Sequence, residues 1–108
     1  MASAERADQI LEQMAQNNPQ LIEQLIGTQV QNIQNSGLDP KTHALVRLGA
    51  LVAVGAPAAS FAWQVSMARE SGATADEIAG VVVAVAPAVG MPRAVAAAPH
   101  IMEVLGSA

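Results

Sequence analysis

Apolar residues recur at helical spacing through the first third of the chain. A short stripe consists of Ile10, Leu11 and Met14. A longer stripe, set against a glutamine-rich polar face, consists of Leu21, Ile22, Leu25, Ile26, Val30 and Ile33. Residues three or four apart lie on one face of an α-helix, so each stripe predicts an amphipathic helix. Ser3 and Asn18-Pro19 supply the start signals, and Ser36-Gly37 supplies a stop.

The middle of the chain, residues 39–92, consists of alanine-rich apolar segments with turn signals between them. The turn signals are GAP at 55–57 and SGAT at 71–74. Thr74 and Glu77 have the spacing of a capping box, in which Thr74 accepts from the backbone N–H of Glu77 and Glu77 accepts from that of Thr74. These signals predict three consecutive helices that carry most of the core.

The pattern predicts an all-α fold, a compact bundle of about six helices. The predicted helices span about residues 3–17, 19–35, 40–54, 57–71, 74–89 and 92–106. Pro87 and Pro99 fall inside the last two, so we expect the fifth helix to kink or end early and the sixth to bend. Residues 1–36 are expected to form an N-terminal helical arm and residues 37–108 the main helical domain, together one structural domain.

Small residues dominate the third to fifth predicted helices. They are Gly49, Ala50, Ala53, Ala58, Ala59, Ala62, Ala68, Ala79, Gly80 and Ala84. Small side chains let helix axes approach closely. We therefore predict a tightly packed bundle without large aromatic anchors.

Composition narrows the function. The 108-residue chain is 52% hydrophobic and 13% charged, which is apolar for a small domain and predicts self-association. A net charge of -4 and 2% aromatic residues argue against nucleic-acid binding. The absence of Cys excludes disulfides, thiolate metal sites and cysteine redox chemistry in this chain.

A membrane span at 48–63 is disfavoured by Gly55 and Pro57. The polar N-terminus does not resemble a signal peptide, so a cytoplasmic location is expected.

The order of several short segments resembles the carboxymuconolactone decarboxylase family, which includes the alkyl hydroperoxidase-like proteins. The segments are LDPKT at 38–42, LVRLGALVAVG at 45–55, QVSMARESG at 64–72, ATADEI at 73–78 and GMP at 90–92. The resemblance covers about residues 37–105 and does not extend to the first thirty-five residues. It implies an all-helical fold that assembles as trimers or hexamers. Family members either decarboxylate a lactone acid without a cofactor or reduce peroxides with a Cys-x-x-Cys pair.

The family's active residues are replaced in this sequence. The two hydroperoxidase cysteines correspond to Pro57 and Ser60, and the histidine that both branches keep corresponds to Gln64. The upstream glutamate falls at about Ala44. The resemblance therefore implies the fold and not the family's chemistry.

Three neighbouring residues form the predicted ligand site. Ser60 and Gln64 lie one helical turn apart on an otherwise apolar helix, and Trp63 is adjacent. The Gln64 amide could hold a carboxylate or carbonyl group, but a structural hydrogen bond is the alternative. Ser60 is expected to serve helix packing because no base lies nearby in sequence. Trp63 could line a pocket, although a core or interface position is the preferred interpretation.

Charged residues and histidines supply the other candidates. Arg47 or Arg93 could bind an anionic group, but we favour ion pairs with Glu70, Asp76 or Glu103. His43 is expected at the surface, whereas His100 could reach a pocket or a subunit interface; both are weak catalytic candidates. No metal site and no cofactor are predicted.

The sequence thus predicts a homo-oligomeric carboxymuconolactone decarboxylase-like protein without thiol redox chemistry, trimeric or hexameric by resemblance. We expect it to bind or act on a small apolar or carboxylated molecule near Gln64, with Arg47 as a further ligand contact. If it is an enzyme, a cofactor-independent lyase or isomerase is expected. One alternative is a non-catalytic scaffold protein, and another is a small membrane-associated helical protein.

Overall fold

Six α-helices account for most of the described chain. The structure is a computed structural model that describes residues 7–16 and 29–107. The helices are α1 (Ala7–Ala15), α2 (Gln29–Ser36), α3 (Pro40–Val54), α4 (Ala58–Glu70), α5 (Ala75–Val89) and α6 (Met91–Ser107). No strand occurs in those two ranges. The all-α prediction is confirmed.

The chain divides into two compact units, Met1–Asp39 and Pro40–Ala108. In the first unit α1 contacts α2, and Ile10 is buried while Leu11, Met14 and Val30 are exposed. Ile33, from the longer predicted stripe, is half-buried. Four residues of that stripe lie outside the described residues, namely Leu21, Ile22, Leu25 and Ile26.

The helices of the second unit begin at the predicted signals. Pro40 is the first residue of α3. At the start of α5 the capping box forms as predicted: the N–H of Glu77 donates to Thr74 Oγ1 at 3.0 Å, and the N–H of Thr74 donates to Glu77 Oε1 at 2.9 Å. Lys41 Nζ lies 2.9 Å from the other carboxylate oxygen of Glu77 and so joins the first turns of α3 and α5.

Glycine turns end α3 and α4 in the same way. Gly55 and Gly72 have φ angles of +67° and +96°. After α4, the N–H of Ala73 donates to the carbonyl of Ala68 at 2.9 Å, and that of Gly72 donates to the carbonyl of Arg69 at 3.0 Å. The equivalent pair of bonds follows Val54, which makes both ends Schellman motifs. The turn at 55–57 interrupts the apolar stretch that the sequence presents there.

The core of the second unit is assembled from all four of its helices. Its buried members are Ala44, Leu48, Val52, Phe61, Val65, Ala68, Ala73, Ile78, Ala97 and Ile101. Phe61 is the largest fully buried side chain. The prediction of a bundle without a large aromatic anchor was therefore wrong. Phe61 lies on the face of α4 that carries Val65 and Ala68, one and two turns later, so helical spacing places all three in the core.

The small residues serve helix packing at only a few positions. Gly49 lets α3 approach α5, because a Cβ there would lie 3.2 Å from a methyl of Val85. Ala68 is also buried. Most of the others are exposed, namely Ala50, Ala58, Ala59, Ala62, Ala79, Gly80 and Ala84. The prediction of tight packing through these small residues was wrong at those seven positions.

Proline does not shorten α5. Pro87 lies within the helix, which continues to Val89, so the expectation of an early end was wrong. Pro99 likewise lies inside α6. None of the described helices is long and apolar enough to cross a membrane.

Candidate ligand cleft between α3 and α4

An open cleft of about 320 Å³ separates α3 from the first half of α4. Its α3 side consists of Arg47 and Leu51, which are one turn apart. Its α4 side consists of Ala59, Ser60, Trp63 and Gln64. Arg47, Ser60, Trp63 and Gln64, the four residues predicted to contact a ligand, thus line one cleft. Leu51 and Ala59 were missed, although Leu51 could have been found from its spacing to Arg47.

Gln64 anchors the floor of this cleft. Its side chain is only 2% exposed, and Nε2 donates to the backbone carbonyl of Ala44 at 3.1 Å. The amide therefore bridges α4 to the first turns of α3. A structural hydrogen bond of this kind was the alternative considered for Gln64 in the sequence analysis. The bond uses Nε2 of the amide, and the Gln64 side chain also lines the cleft.

Trp63 and Ser60 present different surfaces to the cleft. Trp63 is 63% exposed, so it does not belong to the core, and the interface position expected as the other choice stays a prediction. Its neighbour in the chain, Gln64, is buried because successive residues of a helix point about 100° apart. Ser60 is half-buried, with its hydroxyl one turn from Gln64.

Arg47 supplies the charge of the cleft. Its side chain is exposed, and among the described residues no ion pair joins it to Glu70, Asp76 or Glu103. The preferred expectation of an ion pair was therefore wrong for Arg47. The same holds within the described chain for Arg93, whose Nη1 would lie 2.5 Å from a Cβ built on Gly55. Arg93 thus packs over the C-terminal turn of α3, where a cation is favoured by the helix dipole.

His43 lies one turn before Arg47 and is buried, with 4% of its surface exposed. The expectation of a surface position was wrong. The expectation was based on the nearby cations Lys41 and Arg47. The first turns of α3 are nevertheless packed against other helices, as the burial of Ala44 also shows. Burial lowers the pKa of His43, and the positive charge of Arg47 lowers the same pKa further. His43 is not among the residues that line the cleft.

His100 lies elsewhere, in a second cleft between α4 and α6. Its ring stacks on Phe61, with ring centroids 6.0 Å apart and planes 12° from parallel. Glu103 lines the same cleft, and sequence reasoning did not connect these two residues although they are three positions apart. Within the described chain, no group of three or more His, Asp or Glu side chains is arranged to hold a metal ion.

A family model for the carboxymuconolactone decarboxylase family matches residues 19–101. The chain belongs to the carboxymuconolactone decarboxylase family. The match begins before residue 37, so the expectation that the N-terminal residues do not contribute to the likeness was wrong. Comparisons with curated proteins and with solved structures return no significant match.

The contact between Gln64 and Ala44 joins two positions that the resemblance singles out. The resemblance places Gln64 at a histidine position of the family and Ala44 near a glutamate position of its hydroperoxidase branch, and this correspondence stays a prediction. The two positions are joined here by the hydrogen bond from Gln64 Nε2 to the carbonyl of Ala44. Ser60, which the resemblance places at the second cysteine position, lines the cleft together with Gln64.

Proposed function

We propose that this carboxymuconolactone decarboxylase-family protein binds a small carboxylated molecule in the cleft between α3 and α4. The observation that carries the proposal is the position of Arg47, an exposed cation with no ion-pair partner among the described residues, at an otherwise uncharged cleft. A guanidinium group can form two parallel hydrogen bonds with one carboxylate. The carboxylate end of the ligand is therefore assigned to Arg47.

The start of α4 supports the same assignment. Ala59 and Ser60 belong to its first turn, and Pro57, the residue before the helix, provides no side-chain cap. The N-terminal end of a helix carries a partial positive charge that favours anions. This field adds to that of Arg47.

The remaining walls suit a short apolar body. Leu51, Ala59 and the Trp63 indole supply apolar surface. Ser60 can donate or accept a hydrogen bond, and the Gln64 amide offers the atoms that the bond to Ala44 does not use. Small-molecule sites commonly combine apolar walls with a few polar groups of this kind.

The lining favours binding over proton transfer. Arginine keeps its proton at all ordinary pH values, and serine, glutamine and tryptophan do not titrate near neutrality. A general acid or base with a pKa near the working pH is not among these six residues. Thiol redox chemistry is excluded because the chain has no cysteine.

Calorimetric titration with matched probes tests the proposal. Butanoate, hexanoate and benzoate should bind at least about tenfold more tightly than the corresponding alcohols. Arg47→Gln should remove that preference. Arg69→Gln, which removes the same charge from an exposed position near the end of α4, should retain it. Equal binding of acids and alcohols by the unmodified protein would overturn the assignment.

We propose further that the protein is a homo-oligomer, trimeric or hexameric as the family resemblance implies. The outer face of α5 supports this, since its exposed residues are all apolar over its last three turns. They are Ala79, Gly80, Val83, Ala84, Pro87 and Ala88. An apolar face of this kind is typical of a protein interface. Its use by a second copy follows the closed symmetry of most homo-oligomers.

Sedimentation measures the oligomeric state directly. Val83→Lys on the outer face of α5 should reduce the particle mass, while Ser66→Lys, at an exposed position of α4, should leave it unchanged. A monomeric mass for the unmodified protein at micromolar concentration would contradict the proposal. A cytoplasmic location stays a prediction from the sequence.

A further inference from the structure

The cleft between α4 and α6 differs in chemistry from the one that contains Arg47. It has a volume of about 420 Å³, which is in the range of small-molecule sites. On the α4 side it is lined by the small residues Ala58, Ala59 and Ala62. The α6 side consists of His100, Glu103 and Val104. The two clefts share only Ala59.

His100 is held in a defined orientation. Its ring stacks on Phe61, which is fully buried and belongs to the core. The ring itself is half-buried and lines the cleft, so it is packed on one side and accessible on another. A neutral imidazole has one nitrogen that accepts a hydrogen bond. Because stacking on Phe61 already restricts the ring, His100 loses less conformational freedom when a ligand binds.

Glu103 gives this cleft its negative charge. It lies three residues after His100, so the two side chains lie on the same face of α6. No lysine or arginine is among the residues that line the cleft. A carboxylate and an imidazole nitrogen are both hydrogen-bond acceptors. The polar side of the cleft therefore matches a ligand that donates hydrogen bonds and carries positive charge.

We propose that the cleft between α4 and α6 binds a small primary ammonium compound with a short apolar body. The ammonium group donates to the Glu103 carboxylate and to the His100 imidazole. The apolar body lies on Ala58, Ala59 and Ala62, whose side chains are single methyl groups and leave the space open. An ammonium group has three donors and stays charged at neutral pH, so it can donate to both groups at once. The proposal does not depend on ligand binding beside Arg47.

Titration followed by NMR with three probes of equal length tests this site. Butylammonium, 1-butanol and butanoate share an apolar body and differ in the end group. Butylammonium should shift the backbone amide signals of Ala58, Ala62, His100 and Val104, and should bind at least about tenfold more tightly than 1-butanol. Butanoate, whose end group carries the opposite charge, should leave these signals unchanged.

Two variants separate the contributions of the carboxylate and the imidazole. Glu103→Gln should reduce butylammonium binding to the level of 1-butanol. Glu70→Gln, an exposed position outside the cleft with the same change of charge, should bind as the unmodified protein does. His100→Phe preserves a ring that can stack on Phe61 and should weaken binding about threefold to tenfold.

Three outcomes would overturn the proposal. One is equal affinity for butylammonium and 1-butanol, which would make the cleft an apolar groove only. Another is an equal effect of Glu103→Gln and Glu70→Gln, which would mean attraction by net charge alone. The third is the absence of shifts at the named amides throughout the butylammonium titration. Because Glu103 is exposed, its substitution should leave the circular dichroism spectrum unchanged, and that spectrum serves as the folding control.

Discussion

The clefts on α4 share a helix and differ in charge. The cleft toward α3 contains Arg47, and the cleft toward α6 contains Glu103. α4 contributes mainly small or uncharged residues to both, so the partner helix determines the sign of each cleft. One helix thus contributes, within about two turns, to two clefts whose charged residues have opposite signs.

The polar groups of the two clefts are also fixed in different ways. Gln64 is fixed by a hydrogen bond to the Ala44 carbonyl, whereas His100 is fixed by stacking on Phe61. A hydrogen bond to the backbone defines the direction of one atom. A stacked ring is held in its plane and retains two edges for hydrogen bonding. We therefore expect substitutions at the two anchors to have separable effects.

The largest effect should come from Phe61, which supports the second cleft from the core. Phe61→Ala should lower the free energy of unfolding by about 3–5 kcal/mol, because it removes a buried ring and leaves a cavity. Trp63→Ala, two positions away and exposed, should cost less than about 1 kcal/mol while weakening ligand binding beside Arg47. Urea denaturation measures both values. Equal losses for the two variants would contradict the burial described for α4.

A smaller effect is expected from Gln64, the anchor of the first cleft. Gln64→Leu should lower the free energy of unfolding by about 1–3 kcal/mol, because the Ala44 carbonyl loses a buried partner. Gln64→His supplies a ring N–H that can donate to the same carbonyl, so it should lose less. If Gln64→Leu is as stable as the unmodified protein, the hydrogen bond to Ala44 does not stabilise the fold.

The turn between α3 and α4 allows a finer test, because it sets the approach of the two helices that form the first cleft. Gly55→Ala should cost about 1 kcal/mol, since φ is +67°; the new Cβ would also displace Arg93 Nη1, but this atom is the end of a flexible side chain and can move. Gly72→Ala, at φ +96° with open space around it, should cost at least as much, because this φ lies beyond the left-handed region that alanine can adopt. Thermal unfolding in which both substitutions leave the stability unchanged would contradict the positive φ angles of the two turns.

The smallest expected effect is a dependence of stability on pH, which is caused by His43, one turn before Arg47. Burial lowers the pKa of His43 below the ordinary value of 6.5, so the folded state binds fewer protons than the unfolded state. Stability should therefore be complete above about pH 6.5 and decrease as the pH falls toward the folded pKa. Urea denaturation in steps from about pH 7.5 to pH 5 measures this decrease, and His43→Gln should flatten it.

The pH range in which His43 affects stability differs from the range in which Glu77 of the capping box does. The N–H of Thr74 lowers the pKa of Glu77, and the Lys41 ammonium lowers that pKa further, from an ordinary value of 4.5. Stability from Glu77 is therefore lost only at lower pH, as the pH falls through its folded pKa. A pH profile of His43→Gln that matches that of the unmodified protein above about pH 5 would refute the role of the histidine.

The fold was largely readable from local signals, because caps and glycine turns act within a few residues. Thr74 with Glu77 and the glycines at 55 and 72 define helix ends without reference to the rest of the chain. Residue burial was less predictable. His43 is buried despite the cations around it, and most small residues face outward, because both depend on which helix packs against which face.

The candidate site was predictable from local spacing on one helix, but not from the packing between helices. The spacing of Ser60 and Gln64 on α4 placed them together, and Arg47 was predicted as a further ligand contact, although Arg93 was considered as an anion-binding residue as well. Packing of α3 against α4 selects Arg47, while Arg93 packs over Gly55. For His100, the sequence analysis left a pocket or a subunit interface open. It missed that Glu103 and α4 form the cleft with His100, because the α4 side consists of alanines, which give no chemical signal.

The indole N–H signal of Trp63 provides the most direct test of the anion site. The chain has one tryptophan, so its ¹H–¹⁵N indole signal is unambiguous, and the residue lines the cleft with Arg47. Titration with hexanoate should move this signal to a saturable limit in the unmodified protein and in Arg69→Gln. The movement should be lost in Arg47→Gln. An indole signal that stays fixed while hexanoate binds, or that moves equally in Arg47→Gln, would contradict carboxylate binding between α3 and α4.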